Sequence, residues 1–275
     1  ALPKQFFPDL LVGTETADDA AVYRINDEQA IVATTDFFMP IVDDPYDFGR
    51  IAATNALSDI YAMGGQPLMA LAIVGMPINV LPHDTIAKIL EGGESVCRDA
   101  GIPLAGGHSI DSVEPIYGLV GIGIVNPRQM KRNADAKAGD VLILTKALGT
   151  GTILAAEMAM TRLPGLILGE AVATCYTAMA QSLGLAAGYL APQGGPPLAH
   201  AMTDVTGFGL AGHLMSILDA SDVAAKISLS AVPFLPGAEQ MSAHGVRSSL
   251  WRANAGLEPR ISRPVSPLSD LIYDP

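Results

Sequence analysis

Cysteine is almost missing: the 275 residues contain two, Cys97 and Cys175. They form no C-x-x-C pair, so neither a zinc cluster nor a disulfide framework can be read from them. Cys97 falls on the apolar side of a predicted helix, where core packing is its ordinary role. Basic residues are also scarce, with 16 Lys and Arg against 28 Asp and Glu and a net charge of −12. Nucleic-acid partners require stripes of Lys and Arg against phosphate, so none is expected here. An anionic substrate such as a nucleotide would have to bring cations with it. No long hydrophobic run exists: the most apolar stretch, Pro67 to Leu81, is shorter than a membrane span and is broken by Pro77. Ala1 to Pro8 lacks the apolar core of a secretory signal. The expectation is a soluble, cytoplasmic protein with no membrane partner. The five histidines are scattered without an H-E-x-x-H pair, and neither a Walker A loop nor a G-x-S-x-G elbow occurs. Gly149-Thr150-Gly151 begins like a dinucleotide fingerprint, but Leu154 stands where the third glycine belongs.

What the chain does have is core-forming material and turns: 49% of residues are hydrophobic, with 28 glycines and 20 prolines. Length suggests two domains. The polar stretch Asn126 to Ala138 has no apolar period and reads as the linker, placing the domains at residues 1–137 and 138–275. In the first half strands and helices alternate. Ala20–Ile25 and the run from Ala30 to Asp36 read as a hairpin. Pro45–Met63 and Asp84–Ala100 read as helices, Pro67–Val74 and Ile116–Val125 as strands. In the second half Val141–Thr145 reads as a strand, Glu170–Leu185 and Leu210–Leu218 as helices, and Gly194 to Pro197 as a loop.

The chemistry concentrates in aspartates. Asp36 ends an apolar strand, where a carboxylate is costly unless a cation meets it. Asp18 and Asp19 precede the hairpin. Asn55 and Asp59 share one helix face beside the apolar stripe. Two unit charges about 4 Å apart repel by roughly 4 kcal/mol at an effective dielectric near 20. Acids that converge therefore call for metal, and with metal such a cluster binds polyphosphate. Asp59 has an alternative reading as a rim residue bonded to a loop, and Asp204, before a helix, as an ordinary cap. Gly106-Gly107-His108-Ser109 suits a phosphate loop, since glycines let N–H groups approach oxygen, although Gly-Gly pairs are usually plain turns.

Taken in order, Asp18-Asp19-Ala20-Ala21-Val22, Thr34-Thr35-Asp36-Phe37-Phe38, Ala53-Thr54-Asn55-Ala56-Leu57-Ser58-Asp59, Ala105-Gly106-Gly107-His108-Ser109, Leu144-Thr145-Lys146 with Gly149-Thr150-Gly151, and Thr203-Asp204-Val205-Thr206-Gly207-Phe208-Gly209 resemble the selenophosphate synthetase (selenide, water dikinase) family over nearly the whole chain. The resemblance implies an α/β (α+β) protein with the two-domain aminoimidazole ribonucleotide synthetase-like fold. Its N-terminal domain would pair in a homodimer as a β-barrel flanked by helices, with a C-terminal α/β domain behind it. It implies synthesis of selenophosphate, AMP and phosphate from selenide, ATP and water, with Mg²⁺ and K⁺. Asp19, Asp36, Asp59 and Asp204 would hold several Mg²⁺ ions. Thr16, Ala17, Asp18, Asp36, Asn55 and Asp59 would line the ATP site, with Gly107, His108 and Ser109 reaching ATP from the dimer partner.

The family's Gly-rich N-terminal segment, carrying Cys or selenocysteine and then Lys, has no counterpart here. Lys4, Cys97 and Cys175 do not fit it, so no residue is assigned as nucleophile or general acid. The Gln-Thr-Ser-Gly-Gly stretch expected after Asp274-Pro275 is missing too, and the sequence reads as part of a longer chain. Two other readings stay open: a relative acting like aminoimidazole ribonucleotide synthetase or thiamine-monophosphate kinase, and a nucleotide-binding dimer core without turnover.

Overall fold

The computed structural model describes residues 7–192, 198–262 and 266–275. Lys4 and the Gly194–Pro197 loop lie outside the described residues. Among the described residues six strands and nine α-helices follow in chain order: β1 (Leu10–Val12), β2 (Ala21–Arg24), β3 (Ala30–Phe38), α1 (Pro45–Ala62), β4 (Gln66–Met76), α2 (His83–Asp99), β5 (Leu104–Asp111), β6 (Ile116–Val125), α3 (Thr150–Met158), α4 (Leu168–Met179), α5 (Gly184–Leu190), α6 (Gly209–Ser221), α7 (Ala238–Ala243), α8 (Trp251–Asn254) and α9 (Pro267–Leu271).

The strands form one mixed sheet in the order β1-β2-β3-β6-β4-β5. β2 and β3 are the expected hairpin, with Tyr23 opposite Ile31. β3 pairs antiparallel with β6, which puts Asp36 opposite Leu119. Among the described strands of this sheet, β4 and β5 are the one parallel pair. Side chains alternate along β3: Ala30 and Val32 are fully buried, whereas Ile31 and Phe37 are exposed.

The buried face of the sheet is covered by α1, whose Ala56 and Ile60 are fully buried. Asp44 starts this helix by accepting from the Asp47 N–H at 2.9 Å, and Pro45 takes the first-turn position, where a missing N–H costs nothing. α2 packs on α1 at backbone contact. A Cβ on Gly92 would lie 2.1 Å from the Tyr46 carbonyl oxygen, and one on Gly49 would lie 1.9 Å from that of Ile89. Phe38, Phe48 and Tyr117 close the end of this core edge-to-face, with ring centroids 6.0 and 6.3 Å apart.

Two compact units result. The first extends to Asp135 and also takes in Ser182–Asp204; the second comprises Ala136–Gln181 and Val205–Pro275. The boundary expected at 137/138 lies beside the exit at Asp135, but the return of Ser182–Asp204 is not visible to a linear reading. That return is fastened by polar bonds. The Lys131 ammonium donates to the Ala199 carbonyl at 2.8 Å, and α5 packs Gly184 beneath the Tyr61 ring.

The second unit is helical among the described residues, apart from a single parallel bridge between Leu148 and Phe234. The strand expected at Val141–Thr145 does not form. A strand needs a neighbour for its N–H and C=O groups; none of the described residues pairs with this run, and Val141, Leu142 and Ile143 are 83%, 53% and 66% exposed. The single helix expected at Glu170–Leu185 is two, α4 and α5. Lys146 ends α4 by donating to the carbonyls of Ala178, at 2.9 Å, and Gln181, satisfying acceptors that a helix end leaves open. Near the C-terminus the Asp274 carboxylate, 1% exposed, accepts from the Thr152 hydroxyl at 2.6 Å and from the Ser248 N–H.

Candidate metal and nucleotide site

The site begins with two periods that match. Thr34 and Asp36 lie two apart on β3 and so face the same way, about 6.8 Å apart along the strand. Asn55 and Asp59 lie four apart on α1, one above the other at about 6.0 Å. The antiparallel approach of helix and strand links them in two rungs. The Asn55 amide donates to Asp36, and the Thr34 hydroxyl donates to Asp59 at 2.5 Å. Asp59 is therefore bonded to the strand and not to a loop, which sets aside its reading as a rim residue.

Two more acids join from distant positions in the chain. The Thr203 hydroxyl donates to Asp19 at 2.8 Å, and the Ser58 hydroxyl, one residue before Asp59, donates to Asp204. Asp204 is 5% exposed. It does not cap α6, which starts at Gly209 with no side-chain cap. Thus Asp19, Asp36, Asp59 and Asp204 come together, each bonded to at least one neutral donor. Among the described residues no lysine or arginine pairs with any of them.

The electrostatics follow from that composition. Burial, then repulsion from Asp204, pushes the Asp19 carboxyl up to about 9. The same two causes in the same order push Asp59 up to about 8 and raise Asp36. The Asp19 Oδ2 atom is buried without a hydrogen-bond partner. A set of four carboxylates with an unpartnered oxygen, mutual repulsion and, among the described residues, no lysine or arginine paired with it fits a hard divalent metal.

Ser58 is nine-tenths or more buried, and its single O–H is shared between Asp204 and the Asn55 carbonyl, 2.7 Å away within α1. Ser58→Ala removes the donor from Asp204 without altering a charge. The expected result is divalent-metal affinity lower by about tenfold, in the range of a hydrogen bond to a charged group. Isothermal titration with Mg²⁺ checks this; unchanged affinity would make the Ser58 bond incidental.

The remaining sequence-identified residues lie in two places. Thr16, Ala17 and Asp18 form the bend before Asp19, and the Thr16 hydroxyl donates to Asp18. Gly107, His108 and Ser109 do not form a loop. They belong to β5, at the edge of the sheet three strands from β3, roughly 14 Å away at 4.8 Å per strand. Their glycines serve strand pairing: Gly106 and Gly107 have φ of 140° and 150°, and a Cβ on Gly107 would lie 2.0 Å from the Ala72 carbonyl oxygen. This edge strand is exposed along nearly its whole length.

Sequence reasoning missed Thr34, Ser58, Thr203 and Asn133, the donors that hold the acids and the bend. Neutral hydroxyls and amides carry no charge pattern to find them by. The available signal was position: Thr34 is two before Asp36 on one strand face, and Ser58 and Thr203 each precede an acid directly.

Comparison with known proteins gives a consistent picture. Residues 17–125 match the family model for the AIR synthase related protein N-terminal domain, and residues 137–249 match the corresponding C-terminal domain. The chain is 69% identical over 245 residues to a selenide, water dikinase of Pseudomonas straminea, covering 89% of this chain and 66% of that protein. It is 56% identical over 280 residues to the selenide, water dikinase of Burkholderia ambifaria, covering 100% of this chain and 76% of that protein. The chain thus spans about two thirds to three quarters of the length of these relatives. The thiamine monophosphate kinase of Aquifex aeolicus shares the fold, with a TM-score of 0.67 at 15% identity over 93% of this chain and 78% of that one.

Proposed function

Because the chain belongs to the selenide, water dikinase family, we propose that the whole protein makes selenophosphate, the selenium donor for selenocysteine and selenouridine, from selenide, ATP and water, releasing AMP and phosphate. Within that reading this chain supplies the nucleotide and metal site. The observation that carries it is the group of four carboxylates with one buried, unpartnered oxygen at Asp19.

Phosphoryl transfer depends on positioning and charge neutralisation more than on covalent chemistry by the protein. Asp19, Asp36, Asp59 and Asp204 would hold Mg²⁺, which when bound would neutralise phosphate charge, and K⁺ is a further expected ion. Thr34, Asn55, Ser58 and Thr203 fix the direction of those four carboxylates before any ligand arrives. Thr16, Ala17 and Asp18 would contact the nucleotide. Gly107, His108 and Ser109 would reach the ATP of a second copy, since β5 is an edge strand away from the chain's own acids. A homodimer is supported by the outward face of the sheet, where Tyr23, Ile31 and Phe37 are 48%, 37% and 47% exposed. None of the described helices is long and apolar enough to cross a membrane, which is compatible with a cytoplasmic setting.

The test is ³¹P NMR of ATP incubated with the protein, Mg²⁺, K⁺ and selenide. Selenophosphate, AMP and phosphate are the expected products; ATP hydrolysis indifferent to selenide would overturn the reading. Asp59→Asn should lower the rate by at least about 100-fold, typical of losing a group that holds transition-state charge. Its thermal midpoint without metal should not fall, which separates a ligand from a structural residue.

A further inference from the structure

The stretch Asn126–Ala138 carries a residue that does more than connect domains. Asn133 opens a short 3₁₀ turn, Asn133–Asp135, and is 1% exposed. It contacts three consecutive residues more than a hundred positions away. Its side-chain amide donates to the carbonyls of Ala17 at 2.9 Å and Thr16 at 3.3 Å. Its backbone N–H donates to Asp18 Oδ1 at 2.6 Å. The neighbouring Arg132 grips Asp135 with two bonds of 2.9 and 2.7 Å, closing the turn that presents Asn133.

The held segment needs holding. Ala17 has φ of 50°, a left-handed conformation that costs an L-residue with a Cβ about 1–2 kcal/mol. A residue in such a region persists only when its surroundings over-determine it. The surroundings here are Asn133 and the Thr16 hydroxyl on Asp18. The bend's shape sets the Thr16–Asp18 backbone, whereas the side chain of Asp19, the next residue, is held separately by the Thr203 hydroxyl.

We propose that Asn133 is a positioning residue for nucleotide binding: it locks the Thr16–Asp18 bend into its left-handed form so that the bend is preformed for the triphosphate nucleotide. This rests on the nucleotide-binding reading above. Preorganisation lowers the ordering cost of binding, so removing the lock weakens the nucleotide while leaving the four acids and their donors in place.

The test measures AMPPNP binding with Mg²⁺ by isothermal titration, Mn²⁺ binding without nucleotide, and amide exchange at residues 16–19. Asn133→Ala removes the side-chain donors. Asn133→Asp keeps the shape but turns both donors into acceptors facing carbonyl oxygens, and serves if the alanine variant fails to fold. In either variant the nucleotide dissociation constant should rise about tenfold, exchange at Ala17 and Asp18 should speed up, and Mn²⁺ affinity should stay within twofold of the parent. Adding Ala17→Gly to Asn133→Ala should recover part of the loss, because glycine adopts positive φ without steric strain, although it orders at a larger entropic cost. Variants that bind nucleotide within twofold of a binding-competent parent would overturn the lock alone. Equal loss of Mn²⁺ and nucleotide would reassign Asn133 to general stability and overturn it too. A parent that binds no nucleotide would overturn the underlying reading.

Discussion

Without divalent metal, Asp19→Asn is expected to be more stable than the parent already near pH 6, by up to about 3 kcal/mol, and the margin should widen further toward pH 9. The sign follows from proton counting. Asp19 ordinarily titrates at 3.8, and in the folded protein burial and then Asp204 raise it to about 9. Between those values the folded state binds more protons than the unfolded state, so stability falls as pH rises. Asparagine resembles the protonated acid and cannot ionise, so the variant escapes the part of that fall due to this site. Asp59, raised to about 8, makes the parent fall further and leaves a smaller slope in the variant. Metal reverses the order. Mg²⁺ competes with protons for the carboxylates, so its stabilisation of the parent should grow from pH 6 to pH 9, while the variant should gain little. Thermal melts with EDTA or Mg²⁺ at both pH values decide this. A variant less stable than the parent at pH 9 with EDTA would show that the Asp19 charge supports the fold and opposes nothing.

The second large effect is steric. Gly92→Ala places a Cβ 2.1 Å from the Tyr46 carbonyl oxygen and 3.0 Å from the Arg50 nitrogen. Neither is the end of a flexible side chain, so α1 and α2 must separate along their crossing. Overpacking of this kind costs about 3 kcal/mol, a fall in thermal midpoint of roughly 10 °C for a chain of this size. Gly188→Ala, within α5 with open space around it, is the control; it should be neutral or stabilising by up to about 1 kcal/mol. Because α1 carries Asn55, Ser58 and Asp59, Gly92→Ala should also weaken divalent-metal binding in the molecules that stay folded. A midpoint within about 2 °C of the parent would mean the crossing adjusts freely.

Both predictions depend on packing that the sequence expresses unevenly. The apolar periods gave β2, β3, β4, β6, α1, α2 and α6 to within a few residues, because each buries one face and its spacing records which. Val141–Thr145 has the same apolar signature and forms no strand, because a strand also requires a neighbour that its own residues do not encode. β5 was hidden for the opposite reason: Gly106-Gly107-His108-Ser109 has the composition of a turn, yet its glycines allow a close parallel pairing with β4.

The sequence by itself determined the chemistry available: acids in excess, no metal-binding cysteine pair, and aspartates placed beside apolar runs where a lone charge is costly. It also determined the family, because the order of six short motifs is a one-dimensional property. Only the tertiary structure decided which neutral group holds each acid, that Ser182–Asp204 returns to the first unit, and that Asn133 braces a bend 115 to 117 residues away. Those pairings are set by a hydroxyl or amide arriving at hydrogen-bond distance. Thr, Ser and Asn occur throughout the chain, and nothing in their local pattern says which of them will arrive.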